Sequence, residues 1–331
     1  MLRHRIPRRS FQFGITALLT GREVSAIDGS WPPSLDAESP QAHPPAMAKN
    51  DDIPTLLDAE EAFEQGDVET AMLICEGLIG EDERNASVEV LYLAAECLLE
   101  IQEPEEALHY LDLALGSAPG EDVLIHARGI CLFEVSRFEE AALCFEEVSE
   151  SDNAIGEAFY YLAVLAERGG DDEAANRLYA QAVDRDPEHL VPPRDWPEKA
   201  VRKIFGEVVE ELPALLNEWM GGIELKSSEL PSDEDLRRAG GSVSPLVLCM
   251  FEGGEPSSPT GDDPAAWLTS KPTEVKVFRR NLGKCALDDY ELHHELLEAV
   301  LWELTEFLGL SEDHLITLGL DPRETEDPLD A

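Results

Sequence analysis

AECLLEIQEPEEALHYLDLALGSAP (95–119), GICLFEVSRFEEAALCFEEVSESDN (129–153) and AVLAERGGDDEAANRLYAQAVDRDP (163–187) follow one pattern three times at a step of 34 residues. Ala95, Gly129 and Ala163 keep that step, as do Ala107, Ala141 and Ala175. So do Leu111, Phe145 and Tyr179, and Ala114, Val148 and Ala182, while Pro119 and Pro187 stand two steps apart. A fixed period of this length marks stacked helical hairpins. The small residues fall where two helices cross closely, and the large ones fill the gaps between hairpins.

The pattern extends upstream. Thr55 to Gln65 reads as a helix stopped by Gly66-Asp67, and Val68 to Ile79 as its partner. There Ala71 and Cys75 take the places that Ala107 and Leu111 hold later, at a step of 36, so the loop GEDERN carries two extra residues. Four hairpins result: 54–84, 87–118, 121–152 and 155–187. These hairpins resemble tetratricopeptide repeats, the third and fourth most closely, with Ala182 and Pro187 closing the fourth. The resemblance implies a right-handed superhelical solenoid whose concave groove takes a peptide or a protein surface.

Charge narrows the partner. The 331 residues carry 70 acids against 25 Lys and Arg, a net charge of −45. Nucleic acid and anionic membranes need cationic surface, so both are expected to be excluded. Residues 51–190 hold 36 acids, six Arg and no Lys. Such an array cannot readily clamp a carboxylate; it suits a basic protein or peptide, or else its acids only solvate outer helix faces. Cysteines 75, 97, 131, 144, 249 and 285 include no CxxC pair. They read as small buried hydrophobes of a reducing, cytoplasmic compartment.

Residues 1–50 read as a disordered leader, basic at its start and rich in proline later. A short apolar run after the arginines is broken by Gln12 and Gly14, which argues against a signal peptide. Met47 is an alternative start, because ordered patterning begins just after it. No stretch approaches the roughly 20 apolar residues of a membrane span. Residues 191–197 (VPPRDWP) read as a linker, since prolines forbid regular helix there.

Residues 198–320 change character. A helix is expected over 198–212, then β-like runs at 222–226, 246–251 and 274–279, with the flexible loop GGEPSSPTGDDP between the last two. A long helix follows over 288–309, a short one over 311–318, and an acidic tail over 321–331. Helix, strands and helices in that order indicate a small α+β domain.

Four pieces carry a second resemblance: FGEVVEELP, LVLCMFEGGEP, TEVKVFRRNL and WELTEFLGLSEDHL. Together they are similar to the minimal zincin-like metallopeptidase domain of bacteria. That family carries HExxHxxG followed by an acidic ligand, because two His one turn apart face one metal and the Glu activates a water. Carried over, the first ligand position holds Trp302, the activating acid is Glu303, the second ligand position holds Glu306, Gly309 is kept, and the third holds Glu312. An indole cannot replace imidazole on zinc, and two carboxylates alone match zinc poorly. The resemblance therefore implies the family's fold without its zinc or its hydrolysis. Trp302 either fills the vacated volume as a core residue or lines a retained peptide cleft.

Two alternatives stand beside this reading. His294-Glu295-Leu296-Leu297-Glu298 contains HExxE, more simply the polar face of an amphipathic helix. His314 could join Glu306 and Glu312 around an unusual metal, with Glu303 as base of a divergent peptidase. The leading expectation is an interaction protein: an acidic repeat array joined to an inactive metallopeptidase-like domain, with no cofactor.

Overall fold

The computed structural model describes residues 54–151, 154–238, 243–256, 259, 261 and 263–320. The leader over 1–50, the acidic tail and four positions of the loop after Gly254 lie outside the described residues. The chain forms two compact units, divided between Arg128 and Gly129.

Described residues 54–128 contain α1 (Leu56–Glu64), α2 (Val68–Ile79), α3 (Val88–Glu100), α4 (Pro104–Ser117) and the start of α5 (Asp122–Glu134). The helix starts are built locally. Thr55 and Asp58 form a capping box on α1, Asp67 accepts from Thr70 N–H at 3.1 Å, and Ser87 accepts from Val90 N–H at 3.3 Å. The two-residue insertion between the first hairpins is taken up by a 3₁₀ turn over Glu83–Asn85. Ala59, Ala71, Cys75, Ala95, Ala107, Leu111 and Ala114 are fully buried, as the register of small residues requires.

The second unit continues α5 with α6 (Phe138–Ser149), α7 (Gly156–Arg168) and α8 (Asp172–Arg185). Gly129 shows why a small residue is needed: a Cβ there would stand 2.7 Å from the Phe145 ring. Phe145 in turn stacks on Tyr161 with centroids 4.8 Å apart. The hairpin turns repeat as faithfully as the helices. Gly66, Gln102, Ser136 and Gly170 occupy one register position, and all have positive φ, at 79°, 62°, 59° and 77°.

Residues 191–197 are extended, as their prolines dictate, and they are docked. Trp196 is 1% exposed, its indole N–H donating to Ala286 O at 3.0 Å. The Arg194 guanidinium lies 3.9 Å over the Trp196 ring, and Arg194 N–H donates to Gly283 O at 2.8 Å. Gly283 leaves no room for a side chain against the Arg194 carbonyl.

Beyond it come α9 (Glu198–Glu211), α10 (Ala214–Met220), β1 (Glu224–Ser228), α11 (Asp233–Arg238), β2 (Cys249–Glu252), α12 (Pro264–Trp267), β3 (Glu274–Phe278), α13 (Arg279–Cys285), α14 (Asp289–Leu308) and α15 (Glu312–Leu318). The sheet order is β1-β3-β2, with β1 parallel and β2 antiparallel to β3. Helix α9 buries Val201, Ile204, Phe205 and Val208, and α14 buries Leu292, Leu296, Val300, Leu304 and Leu308 in the same core. Helices α10 to α13 were not expected from the sequence.

Ion pairs tie the fourth hairpin to this domain. Lys284 Nζ, 1% exposed, meets Glu167 at 2.7 Å. Arg280 meets Asp172 at 2.7 Å, and Arg168 meets Asp233 at 2.9 Å.

Candidate functional site

Helix α14 presents the degenerate motif. Asp288 caps its start, accepting from Tyr290 and Glu291 N–H at 2.9 Å. Gly309 ends it in the left-handed conformation, φ 60°, which fixes where α15 begins. Within the last turns, Trp302 is half-buried. Glu306, one turn on, is exposed. Glu312 opens α15, and its side chain is not among those described.

Glu303 is the most constrained of the set. Its Oε2 accepts from the Phe251 N–H at 2.7 Å. Phe251 lies on β2, an edge strand whose neighbouring Leu248 and Glu252 carbonyls accept from Phe278 and Thr273 N–H. Burial pushes the Glu303 carboxyl up to about 7; the Phe251 bond opposes the shift and the Glu306 charge adds to it. Behind the pair, the Cys249 thiol is pushed up by burial and by Glu303. Beside it, Trp219, Phe251 and Phe307 form an aromatic cluster with centroids 6.0 to 6.4 Å apart. The turn after β2 demands glycine, since a Cβ on Gly254 (φ 75°) would lie 2.5 Å from Lys271 O.

His314 is used structurally. Its Nδ1 accepts from Ser311 N–H at 3.0 Å, and its ring meets Trp267 edge-on at 4.5 Å. The upstream HExxE is likewise engaged, His294 with Glu298 at 3.2 Å and His293 with Glu211 at 3.3 Å. Among the described residues no three His, Cys, Asp or Glu side chains converge as a metal site. The described side chains at the motif positions do not fit zinc. An indole N–H is a donor only, and the one nearby imidazole spends Nδ1 on a helix cap.

The repeat unit 54–128 holds a feature that sequence reading missed. Glu60 and Glu96 are buried, 8% and 2% exposed, each following the small residue of its helix, Ala59 and Ala95. Their separation of 36 is the same step that relates Ala71 to Ala107, so the register alone could have found them. In the other unit, a cleft of about 1090 Å³ is lined by Asn176, Tyr179, Pro187, Arg194, Arg279 and Arg280 among others. Its arginines are all engaged: Arg280 with Asp172 and Glu229, Arg279 with Glu229, Arg194 with Trp196.

Comparison with known proteins places the boundary elsewhere, between repeats that end at 189 and a domain that begins at 220. The chain consists of tetratricopeptide repeats followed by a zincin-like metallopeptidase domain. Two tetratricopeptide repeat families match residues 62–127 and 126–189, and the zincin-like metallopeptidase family matches 220–320. No curated protein matches the chain.

Among solved structures, MamA of Desulfovibrio magneticus RS-1 is 22% identical, covering 39% of this chain and 72% of its own, with a TM-score of 0.34. YrrB, described as a tetratricopeptide protein with an unusual peptide-binding site, is 19% identical over 40% of this chain and 86% of its own, TM-score 0.30. The pilF protein of Pseudomonas aeruginosa is 14% identical over 82% of this chain and 90% of its own, TM-score 0.36. Scores this low bear on none of the functional argument. Among the described residues no helix is long and apolar enough to cross a membrane.

Proposed function

We propose that this protein is a cytoplasmic binding scaffold: its acidic repeats hold a basic protein or peptide, and its zincin-like domain adds a surface that does not hydrolyse. The observation that carries the second half is the Glu303–Phe251 bond. A carboxylate that must activate a metal-bound water needs a free oxygen beside two imidazoles. Here one of its oxygens, Oε2, is anchored to an edge-strand N–H, and the imidazole that should precede it is an indole, which cannot hold the metal. The acidic balance of the repeats supports the first half, and it disfavours nucleic acid and anionic membrane as partners.

One observation favours a different reading, a divergent metal-dependent peptidase. The Glu303 carboxyl, raised to about 7, is poised as a general base would be. Glu306, Glu312 and His314 would then surround the metal.

Elemental analysis of the purified protein, with peptide turnover measured on Glu303→Gln and Glu306→Ala, separates the two. The scaffold reading expects no stoichiometric zinc and no turnover that either variant abolishes. Zinc at one per chain, lost on Glu306→Ala, would establish the peptidase. For the repeats, Lys/Arg-rich peptides should bind and Asp/Glu-rich ones should not, with affinity falling as salt rises.

A further inference from the structure

The fourth hairpin closes the array, and the extended linker over 191–197 follows it rather than another repeat helix. The cleft of about 1090 Å³ opens there, wholly within the second unit. One face of α8 forms a wall of it, from Asp172 through Ala180 to Pro187. The linker and the zincin-like domain supply the rest of the lining. Along the helix that wall runs roughly 20 Å, the length of about six residues of extended chain. A space drawn out in this way suits a peptide better than a compact small molecule.

Most charges in the cleft are spent. Arg280 meets Asp172 at 2.7 Å and Glu229 at 2.9 Å, Arg279 also meets Glu229, and Lys284 takes Glu167 at 2.7 Å. Arg194 lays its guanidinium over Trp196 and donates to Leu287 O. Asp184 and Asp195 are left over. Both are exposed, and neither side chain makes an ion pair or hydrogen bond among the described residues. Asp184 lies in the last turn of α8, where the helix dipole is negative, in a chain of net charge −45. Cations are favoured at these two positions.

The floor needs more than a cation. Tyr179 is 4% exposed, its ring meets Tyr160 edge-on at 4.9 Å, and its hydroxyl has no hydrogen-bond partner. The buried Arg279 Nε is a donor with no acceptor. Unpaired polar atoms at depth cost free energy until a partner reaches them. A peptide backbone brings a carbonyl and an N–H at each residue, so it can complete both; a bare amine, donor only, cannot complete the Arg279 N–H. Pro187, Pro192 and Pro193 give the aliphatic stem of a Lys or Arg an apolar wall.

We propose that this cleft binds an extended Lys/Arg-bearing segment of a partner protein, its backbone reaching the floor at Tyr179 and its cations meeting Asp184 and Asp195. This rests on the reading of the protein as a receptor for basic ligands. It puts the site at the end of the array, with the zincin-like domain as part of its lining.

The test titrates the full chain with a fluorescent hexapeptide of alternating Arg and Ala, whose cations share one side when extended. A Glu/Ala hexapeptide and a longer Lys/Arg-rich peptide run in parallel. Asp184→Asn with Asp195→Asn removes the unpaired acids. Ala180→Trp fills the cleft without touching a charge, and Tyr179→Phe removes only the hydroxyl. Glu146→Gln with Glu147→Gln removes two exposed acids of α6 outside the cleft. Circular dichroism checks each fold. The Asn pair should weaken the Arg/Ala peptide about fivefold. Ala180→Trp should weaken it about tenfold, and Tyr179→Phe about threefold with no loss of melting temperature. The Gln pair should leave it unchanged, and the Glu/Ala peptide should not bind. If the Gln pair weakens binding as much as the Asn pair, or Ala180→Trp leaves it intact, the attraction is diffuse and the site is overturned. Tyr179→Phe without effect overturns the contact at the floor, and tighter binding of the Glu/Ala peptide overturns the assigned ligand. If the hexapeptide fails while the longer basic peptide binds, only this proposal falls; if neither binds the native chain, the basic-ligand reading falls with it.

Discussion

The two compact units handle buried charge in opposite ways. In residues 129–320 the buried Lys284 is matched by Glu167 at 2.7 Å, and the half-buried Lys276 by Asp235 and Glu252, both at 2.6 Å. In residues 54–128 the buried charges named here are acids, and one oxygen of Glu60 is satisfied by nothing described. The Lys284–Glu167 pair holds the fourth hairpin to the zincin-like domain, while the Lys276 pairs lie within that domain. An unmatched charge costs stability. The comparison predicts opposite responses to neutralisation.

The largest effect is expected at Lys284. Lys284→Met leaves Glu167 buried without its cation and should cost about 3–5 kcal/mol. For a domain of this size that lowers the melting temperature by roughly 10 °C in a calorimetric scan. The double variant Lys284→Met, Glu167→Met should recover most of the loss, because both desolvation costs vanish together. Glu60→Gln should behave in the opposite sense, leaving stability unchanged or raising it slightly. If Lys284→Met is as mild as Glu60→Gln, the contrast between the units is wrong.

Glu303 comes next. Its carboxyl titrates at about 7 in the folded chain against 4.5 for an unperturbed one. Between those values the folded state holds a proton that the unfolded state has released. Stability therefore falls as pH rises from 4.5 to 7, by at most about 3 kcal/mol from this group. Glu295, also raised to about 7 by burial and by Glu298, adds a second fall over the same window. Melting temperature followed against pH should flatten there in Glu303→Gln, and further when Glu295→Gln is added. A profile indifferent to Glu303→Gln would mean that the carboxyl is not held as described.

Which of these features the sequence could show follows from how far apart their causes lie. The hairpins were legible because close helix crossings admit only small side chains at a fixed step, as the space around Gly129 makes plain. The turns were half legible: Gly66 and Gly170 announce positive φ, whereas Gln102 and Ser136 take the same conformation without the residue that signals it. Helices α10 to α13 run only four to seven residues, too short for a periodicity to emerge. The prolines of 191–197 told of extended chain but not that Trp196 would be buried against Ala286, 90 residues on. The motif positions Trp302, Glu303 and Glu306 could be aligned by eye. The Glu303–Phe251 bond that redefines them spans 52 residues and had no local trace.

The smallest expected effects separate tight from open packing at a single methyl group. At Gly129 the added Cβ would meet Phe145 at 2.7 Å and the Cys144 Cβ at 3.1 Å. A ring stacked on Tyr161 has little room to retreat, so Gly129→Ala should cost about 1–3 kcal/mol. Gly77 lies within α2, in the other unit, with nothing within 4 Å of the added carbon. There the gain in helix propensity stands alone, and Gly77→Ala should stabilise by about 0.5–1 kcal/mol. Urea denaturation of the two variants side by side should move the midpoints in opposite directions. Were Gly129→Ala to stabilise as well, the 34-residue register of small side chains would reflect helix propensity rather than close approach, and the packing argument for the repeats would fail at its best-defined point.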